Sequence, residues 1–208
     1  MASLPERFEK WFAAKGWRLR AHQAEMLAAA QDSADALLIA PTGAGKTLAG
    51  FLPSLVDLAA RRRTGLHTLY VSPLKALGTD IARNLQIPVA EMGLSVSIET
   101  RSGDTPANRR ARQKDVAPNI LLTTPESLLL LLSQENSAAY FGELACVVVD
   151  EIHALAGTKR GDQLALCLSR LRALSATRIV GLSATVAHPE AMRRFVAVSY
   201  THLRAHET

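Results

Sequence analysis

Two stretches of this 208-residue chain carry side chains whose types and spacing could do chemistry together. The first is Ala40-Pro-Thr-Gly-Ala-Gly-Lys-Thr47. Small residues there let successive backbone N–H groups wrap an anion, and a helix opening at the end of the stretch adds the positive end of its dipole. Lys46 can reach the outer phosphates of a nucleoside triphosphate, and the Thr47 hydroxyl can hold Mg²⁺. Pro41, Thr42, Gly43, Ala44 and Gly45 would complete the cradle, with Ala40 standing where the strict form of such a loop has glycine. The second stretch is Val149-Asp-Glu-Ile-His153. Asp150 can hold the shell of the metal, and Glu151 can polarise an attacking water as general base. Taken singly, these are a glycine turn and a solvated acidic turn. Taken together, they are complementary halves of one phosphoryl-transfer centre, with Lys46, Asp150 and Glu151 as its catalytic groups.

Such groups need a scaffold that brings distant segments to one place. The pattern supplies short apolar runs at 36–40, 67–71, 95–99, 119–123, 144–149 and 178–182, the last strand expected. Helical patterns fall between them, at 20–31, 47–62, 74–85, 106–114, 125–132 and 162–173. A further helix is expected to open at Ser3-Leu-Pro-Glu6, with Ser3 as its capping hydroxyl. Apolar strands alternating with helices predict an α/β fold: a mostly parallel sheet with helices on both faces. Ligands of such sheets gather at the carboxyl ends of the strands, and both chemical stretches directly follow a strand.

Composition agrees with this and narrows little else. Charged residues make up 21% and apolar residues 48%, the balance of a globular chain long enough for one sizeable core. The net charge of +5 suits a polyanionic partner without requiring one. Cys146 and Cys167 lack metal-ligand spacing and read as reduced, buried thiols of a cytoplasmic protein. Residues 1–12 mix charge with apolar groups, unlike a secretory leader, and the apolar run at 144–149 is too short to cross a bilayer, so no membrane partner is expected.

The order of several motifs resembles a known family. The phosphate loop, Ser72-Pro-Leu-Lys-Ala-Leu77, Thr123-Thr-Pro-Glu-Ser127, Asp150-Glu-Ile-His153 and Ser183-Ala-Thr185 resemble motifs I, Ia, Ib, II and III of superfamily 2 DExH-box helicases. Leu48-Ala-Gly-Phe-Leu-Pro53, Leu69-Tyr-Val-Ser-Pro-Leu-Lys-Ala-Leu77, Glu99-Thr-Arg-Ser-Gly-Asp-Thr105 and Lys159-Arg-Gly161 are similar to the large helicase-related (Lhr) family. Trp11-Phe-Ala-Ala-Lys-Gly-Trp17 looks like its bacterial ligase-associated DNA-damage-response branch. The resemblance implies a RecA-like P-loop NTPase domain of an ATP- and Mg²⁺-dependent DNA helicase or translocase in DNA repair. Its partners would be single-stranded nucleic acid, DNA in preference to RNA, and a repair ligase and nuclease. Gln23 would recognise adenine, while His153 would couple the nucleotide site to Ser183 and Thr185. Ser72, Lys75, Arg101, Gly103, Thr124 and Ser127 would touch the strand backbone. Singly, each of these six also reads as a helix cap or loop residue. Two basic groups stay open between a solvated face and a strand-facing patch: Arg109, Arg110, Arg112 and Lys114 on one short helix, and Lys159-Arg160. Arg61-Arg-Arg63 reads as a solvated helix end.

A motor of this kind needs a second RecA-like domain, whose arginines stabilise charge in the transition state. Residues 1–197 are expected to be the first such domain alone. Two other readings remain: a nucleotide- and DNA-binding module without turnover, and a P-loop ATPase serving transport or assembly. Val198-Ser-Tyr-Thr-His-Leu-Arg-Ala-His-Glu-Thr208 matches the in-frame translation of a sequencing-library adapter and is expected to be foreign to the protein. Long-read sequencing of the locus is expected to lack the sequence that encodes residues 198–208. A stop codon directly after Thr208 would overturn that expectation.

Overall fold

In the computed structural model, the described residues are 4–41, 43–61, 64–73, 75–184, 189–196 and 201–204; for 75–79, 196 and 201–204 only the backbone is described. The helices are α1 (Glu6–Ala14), α2 (Ala21–Gln31), α3 (Lys46–Ala60), α4 (Lys75–Glu91), α5 (Ala107–Asp115), α6 (Pro125–Leu132), α7 (Ser137–Phe141), α8 (Ile152–Leu155), α9 (Lys159–Leu174) and α10 (Pro189–Val196). The strands are β1 (Ala36–Ile39), β2 (Thr68–Val71), β3 (Ile98–Arg101), β4 (Ile120–Thr123), β5 (Cys146–Val149), β6 (Arg178–Ser183) and β7 (Thr201–Arg204). They form one sheet in the order β3-β4-β2-β5-β6-β1-β7. Every pairing is parallel, so the expectation of a mostly parallel sheet holds in its strictest form.

Alternation along the strands explains why the sheet is covered twice. Leu38, Tyr70, Leu122, Val148 and Leu182 pack on one face with Phe8, Phe12, Met26, Phe51, Leu55 and Leu85 of α1–α4. Their strand neighbours Leu37, Val71, Leu121, Val149 and Ile179 pack on the other face with Leu128, Phe141, Leu155, Leu164 and Leu171 of α6–α9. Successive strand residues point to opposite faces, so near-continuous apolar strands demand helices on both sides.

Several boundaries differ from the sequence reading, each for a local reason. Helix α1 opens at Glu6 with Pro5 as its N-cap and no side-chain cap, while Ser3 lies outside the described residues. Helix α4 runs six residues past Leu85 and through Pro88. Val89 and Met92 continue the buried stripe of Ile81, Ala82 and Leu85, and burying such side chains is worth about 1.5–3 kcal/mol each, enough to offset a lost helical N–H. Strand β3 sits three residues later than expected because Ser97 is tied to the Asn119 side chain, with Ser97 N donating to Asn119 Oδ1 at 3.0 Å and Asn119 N to Ser97 Oγ at 2.9 Å. Helix α9 begins three residues earlier than expected, capped by Thr158, whose Oγ1 accepts from Gly161 N at 3.1 Å. Strand β6 is not the last. Thr201–Arg204, within the stretch expected to be foreign, lies parallel to β1. Ladder bonds use only main-chain groups, so an open strand edge accepts an extended segment of almost any sequence.

At the turn from α8 into α9 two stretches of backbone approach each other closely. Leu155 O accepts from Thr158 N at 3.1 Å and from Thr158 Oγ1 at 2.7 Å, and the chain then passes directly over it at Gly161. A Cβ at Gly161 would stand 2.1 Å from Leu155 O and 3.1 Å from Phe195 Cε2. Gly161→Ala is therefore expected to cost about 3 kcal/mol, because the clash is with backbone and no side-chain rotation relieves it. The urea midpoint measures this, and an unchanged midpoint would show that the α8–α9 turn yields freely.

Candidate functional site at the carboxyl rim of the sheet

The ladder fixes where the loops begin. Backbone bonds continue one residue beyond the strands: Ala40 N donates to Ser183 O at 3.2 Å, Ser72 N to Thr123 O at 3.1 Å, and Asp150 N to Val71 O at 2.9 Å. The first residues of the functional loops are therefore placed by the sheet. Strand order then divides the rim. At the carboxyl ends of β5, β6 and β1, which are adjacent, lie Asp150, Ser183 and the phosphate loop. At the carboxyl ends of β3, β4 and β2, also adjacent, lie Arg101 to Gly103, Thr124 to Ser127, and Ser72.

On the first half of the rim, Gly43 and Gly45 take positive φ values of 85° and 78°. A side chain would be strained at either, so these two residues let the loop turn back on itself. Gly45 caps α3, and Lys46 opens it. Lys46 Nζ donates to Ala40 O at 2.7 Å, which folds the ammonium over the loop. Thr47 is half-buried in the first turn of α3. Thr42 and Thr185 lie outside the described residues.

Gln23 is buried, against the ordinary tendency of a helical glutamine towards solvent. Its Oε1 accepts from Arg20 N at 3.0 Å, and Arg20 Nη1 donates to Ala44 O at 2.7 Å. The start of α2 is thereby clipped to the phosphate loop. A cleft of about 560 Å³ opens beside Gln23, between the loop glycines, Phe12, Trp17 and Arg18. Phe12, Trp11 and Trp17 form an edge-to-face aromatic cluster with centroids 5.3 to 6.4 Å apart, which holds this wall in shape. Arg20 was missed from sequence because its role is a contact across 24 residues of chain. A second hollow, about 670 Å³ between α1 and the end of α4, is bordered by the Lys15–Glu91 ion pair and lies away from the phosphate loop.

The acidic pair is rigidly held. Asp150 is buried, with Oδ1 accepting from Glu151 N at 2.8 Å and Oδ2 from the Tyr70 hydroxyl. Burial and the nearby Asp150 push the Tyr70 phenol far above its ordinary pKa, so it stays a donor. Glu151 has φ 50° and ψ 43°, a left-handed conformation that costs a non-glycine residue about 1 kcal/mol or more. That turn starts α8 and brings His153 back over the pair. His153 Nε2 lies 3.2 Å from Glu151 Oε2, and His153 Nδ1 accepts from Ala184 N at 3.4 Å and lies 3.3 Å from Ser183 Oγ. Because Nδ1 accepts a backbone N–H, the ring proton sits on Nε2 and points at Glu151. The structure thus brings Glu151, His153 and Ser183 together.

The second half of the rim is a set of hydroxyls and turns. Ser72 is buried at the end of β2. Thr124 caps α6, its Oγ1 accepting from Ser127 N at 3.4 Å, so the cap reading of this residue is correct whatever else it does. Gly103 is exposed in a turn closed by Ser102 N on Thr105 Oγ1 at 2.9 Å. Arg101 is buried, and burial lowers its pKa from the ordinary value; its Nη1 donates to Arg110 O at 3.1 Å, tying α5 to β3. Lys75 opens α4, and its side chain lies outside the described residues. Of the open basic groups, Arg112 Nη2 donates to both Glu99 carboxylate oxygens at 2.7 Å and Arg109 Nε lies 3.9 Å from Glu99 Oε2, so part of the α5 charge is neutralised on β3. Arg160 does more: Nε donates to Glu126 Oε1 at 2.6 Å, and Nη2 to Pro73 O at 3.0 Å. Burial alone would raise the Glu126 pKa, but hydrogen bonds from Arg160, from its own backbone N–H and from the Thr124 hydroxyl bring it below the ordinary value.

Comparison with known proteins agrees with this arrangement. The sequence profile of the DEAD/DEAH box helicase family matches residues 20–193. The chain is 46% identical over 190 residues to the Lhr helicase/probable uracil glycosylase of Mycolicibacterium smegmatis, covering 84% of this chain and 12% of that one. It is 40% identical over 182 residues to the ATP-dependent helicase Lhr-Core of Methanothermobacter thermautotrophicus, covering 80% of this chain and 21% of that one. The structure of Mycobacterium smegmatis helicase Lhr bound to ssDNA and AMP-PNP superposes with a TM-score of 0.89 at 38% identity, over 97% of this chain and 27% of that one. The chain therefore spans about an eighth to a quarter of the length of these relatives.

Arg160 clips the Pro73 loop and the start of α6 to α9. Arg160→Ala is expected to lower stability by about 1 kcal/mol, since its bonds are half in water. Arg160→Lys should recover less than half of that, because one ammonium cannot span both acceptors. Denaturant unfolding of the two variants checks this, and equal stability in Arg160→Ala and the parent would remove the clip.

Proposed function

The chain belongs to the DEAD/DEAH box helicase family, and on that premise we propose that it is the ATP-binding domain of a nucleic-acid translocase acting on single-stranded DNA. The observation that carries this reading is the divided rim: phosphate-loop and acidic groups lie at the ends of the adjacent strands β5, β6 and β1, and hydroxyl-bearing turns at the ends of the adjacent strands β3, β4 and β2. One half suits a nucleoside triphosphate and the other a phosphodiester backbone. The preference for DNA rests on the ssDNA held by the similar Lhr structure. A DNA-repair setting, with a ligase and a nuclease as partners, rests on the resemblance of the Trp11 to Trp17 stretch.

Pro41 to Gly45 would cradle the phosphates of ATP with backbone N–H groups at the N-terminus of α3, a 15-residue helix. Lys46 would turn from Ala40 O to the outer phosphates. Gln23 and the cleft beside it would take the adenine. Thr47 and Asp150 would hold Mg²⁺, which neutralises charge on the phosphates. Glu151 would take a proton from the attacking water, and the His153 N–H at 3.2 Å orients its carboxylate. His153 would carry the state of this site to Ser183 and Thr185. Ser72, Lys75, Gly103, Thr124 and Ser127 would meet phosphate oxygens of the strand, which supply affinity without sequence preference. Arg101, buried against α5, would support the Gly103 turn and reach the strand only at its edge. A second RecA-like domain beyond this one would close the nucleotide cleft and supply arginines.

In the full-length protein, Glu151→Gln is expected to lower ATP turnover by at least about 100-fold while ATP affinity is retained. Lys46→Ala is expected to lose ATP affinity itself. Steady-state hydrolysis and equilibrium nucleotide binding separate the two effects. Undiminished turnover in Glu151→Gln would remove Glu151 from the role of base.

A further inference from the structure

The wall of the cleft beside Gln23 is carried by two helix ends that meet at one carboxylate. Helix α1 ends in a glycine turn: Gly16 has φ 67°, Gly16 N donates to Ala13 O at 3.0 Å, and Trp17 N donates to Phe12 O at 2.9 Å. Helix α4 ends the same way, with Gly93 at φ 60°, Gly93 N donating to Ala90 O at 3.0 Å and Leu94 N to Val89 O at 2.9 Å. In such a turn the residue after the glycine packs back on the last helical turn. In α1 that residue is Trp17, which packs on Phe12 with ring centroids 6.4 Å apart. Glu91, the last residue of α4, joins the two ends. Its Oε2 accepts from Trp11 Nε1 at 2.7 Å, and its Oε1 accepts from Lys15 Nζ at 2.6 Å. The hydrogen bonds from Lys15 and Trp11 hold the Glu91 carboxyl below its ordinary pKa, so it is an ionised acceptor at neutral pH. Trp11 is buried and stands edge to face with both Phe12 and Trp17, at 5.3 and 5.5 Å. Phe12 and Trp17 line the cleft, while Trp11, Lys15 and Glu91 border the hollow behind it. The three rings are therefore a partition, and Glu91 grips it from the far side.

We propose that Glu91 is a positioning residue for adenine recognition: by holding the Trp11 indole it sets the distance of Phe12 and Trp17 from Gln23, and so the size of base that the cleft accepts. The inference rests on the assignment of this cleft to adenine made above. An indole has one donor and no acceptor. In a closed space the Trp11 ring can be turned over, but only one orientation sends its N–H to Glu91, and every other leaves a buried donor unpaired. The carboxylate thereby selects one placement of Trp11, and close packing passes that placement to its two ring neighbours. Trp17 is 51% exposed, so its position depends on the contacts of its inner side, those with Trp11 and Phe12. Shape sorts a purine from a smaller base only against a wall that does not yield. Glu91 itself touches no nucleotide. It belongs to none of the sequence motifs, because its two partners lie 76 and 80 residues away.

The test uses the full-length protein and equilibrium binding of MgADP and MgUDP, which share a diphosphate and differ in the base, read by calorimetry. The unsubstituted protein is expected to bind MgADP about tenfold or more tightly than MgUDP. Glu91→Ala removes both acceptors. It is expected to weaken MgADP about tenfold, the worth of one hydrogen bond to a charged group, and MgUDP by less than about twofold. Trp11→Phe keeps an aromatic ring in the partition, removes the N–H, and is expected to lower the preference equally; combined with Glu91→Ala it should add nothing further. Glu91→Gln keeps one acceptor for the indole, gives up the charge facing Lys15, and is expected to retain most of the preference. An unchanged preference for MgADP in Glu91→Ala, or an equal loss for both nucleotides, would overturn the positioning role and leave Glu91 a tie between helices. So would a preference kept in Trp11→Phe. A loss in Glu91→Gln as deep as in Glu91→Ala would assign the effect to the ion pair and overturn the indole link. Equal affinity of the unsubstituted protein for MgADP and MgUDP would instead overturn the adenine cleft, and the role of Glu91 with it.

Discussion

Parallel strands in register are the constraint on which everything else depends. Val71 lies beside both Thr123 and Val149, and Ile39 beside Ser183, so the strands end nearly level. A parallel sheet requires a crossover between every pair of strands, and here the crossovers cover both faces with helices. Burial of Leu38 and its face on one side, and of Leu37 and its face on the other, leaves the sheet no freedom to slip: a one-residue shift would exchange the two faces throughout. The rim where chemistry is possible is thus a by-product of a core that has only one register. Residues 40, 72, 101, 124, 150 and 183 are far apart in sequence and neighbours in space for that reason alone.

Local features then spend a little of the stability the core provides. Glu151 holds a backbone conformation that most residues avoid, and the Asp150 carboxylate that accepts its N–H compensates within one residue. The left-handed turn is what lets α8 begin at once and return His153 to the pair. Asp150 is buried yet fully engaged, by a phenol and a backbone amide, so its desolvation is offset by two hydrogen bonds to a charged acceptor. Strain and buried charge sit together at the proposed catalytic step, as expected where geometry has to be held against relaxation.

Much of this was legible in the sequence, and what was not has a common cause. Helix α6 matches its expected bounds because Thr124 and Pro125 are start signals carried by the local chain. The phosphate loop and acidic pair were legible because backbone geometry and residue type coincide there. The end of α4 was not, since Pro88 is a local stop signal overruled by the burial of Val89 and Met92. The start of β3 was not, because Asn119 substitutes for a strand partner from 22 residues away. The loop contact of Arg20, the carboxylate contact of Tyr70 and the clip made by Arg160 belong to the same class. Each side chain looks like that of an ordinary helix, strand or surface residue until tertiary structure brings its partner near. These contacts span from 24 to 87 residues of sequence, and none is visible as a motif.

The Arg160 guanidinium reaches the loop after β2 and the start of the helix after β4 from a third segment, α9. Three separately connected pieces of the rim are thereby fastened as one body before any ligand arrives. A surface assembled in advance gives up little freedom on binding. In the reading proposed here, the entropy lost on complex formation would fall mainly on the flexible nucleic acid rather than on the protein. Each advance along the strand would then ask the chain to order nothing of its own on this face, so that successive steps meet the same rigid template.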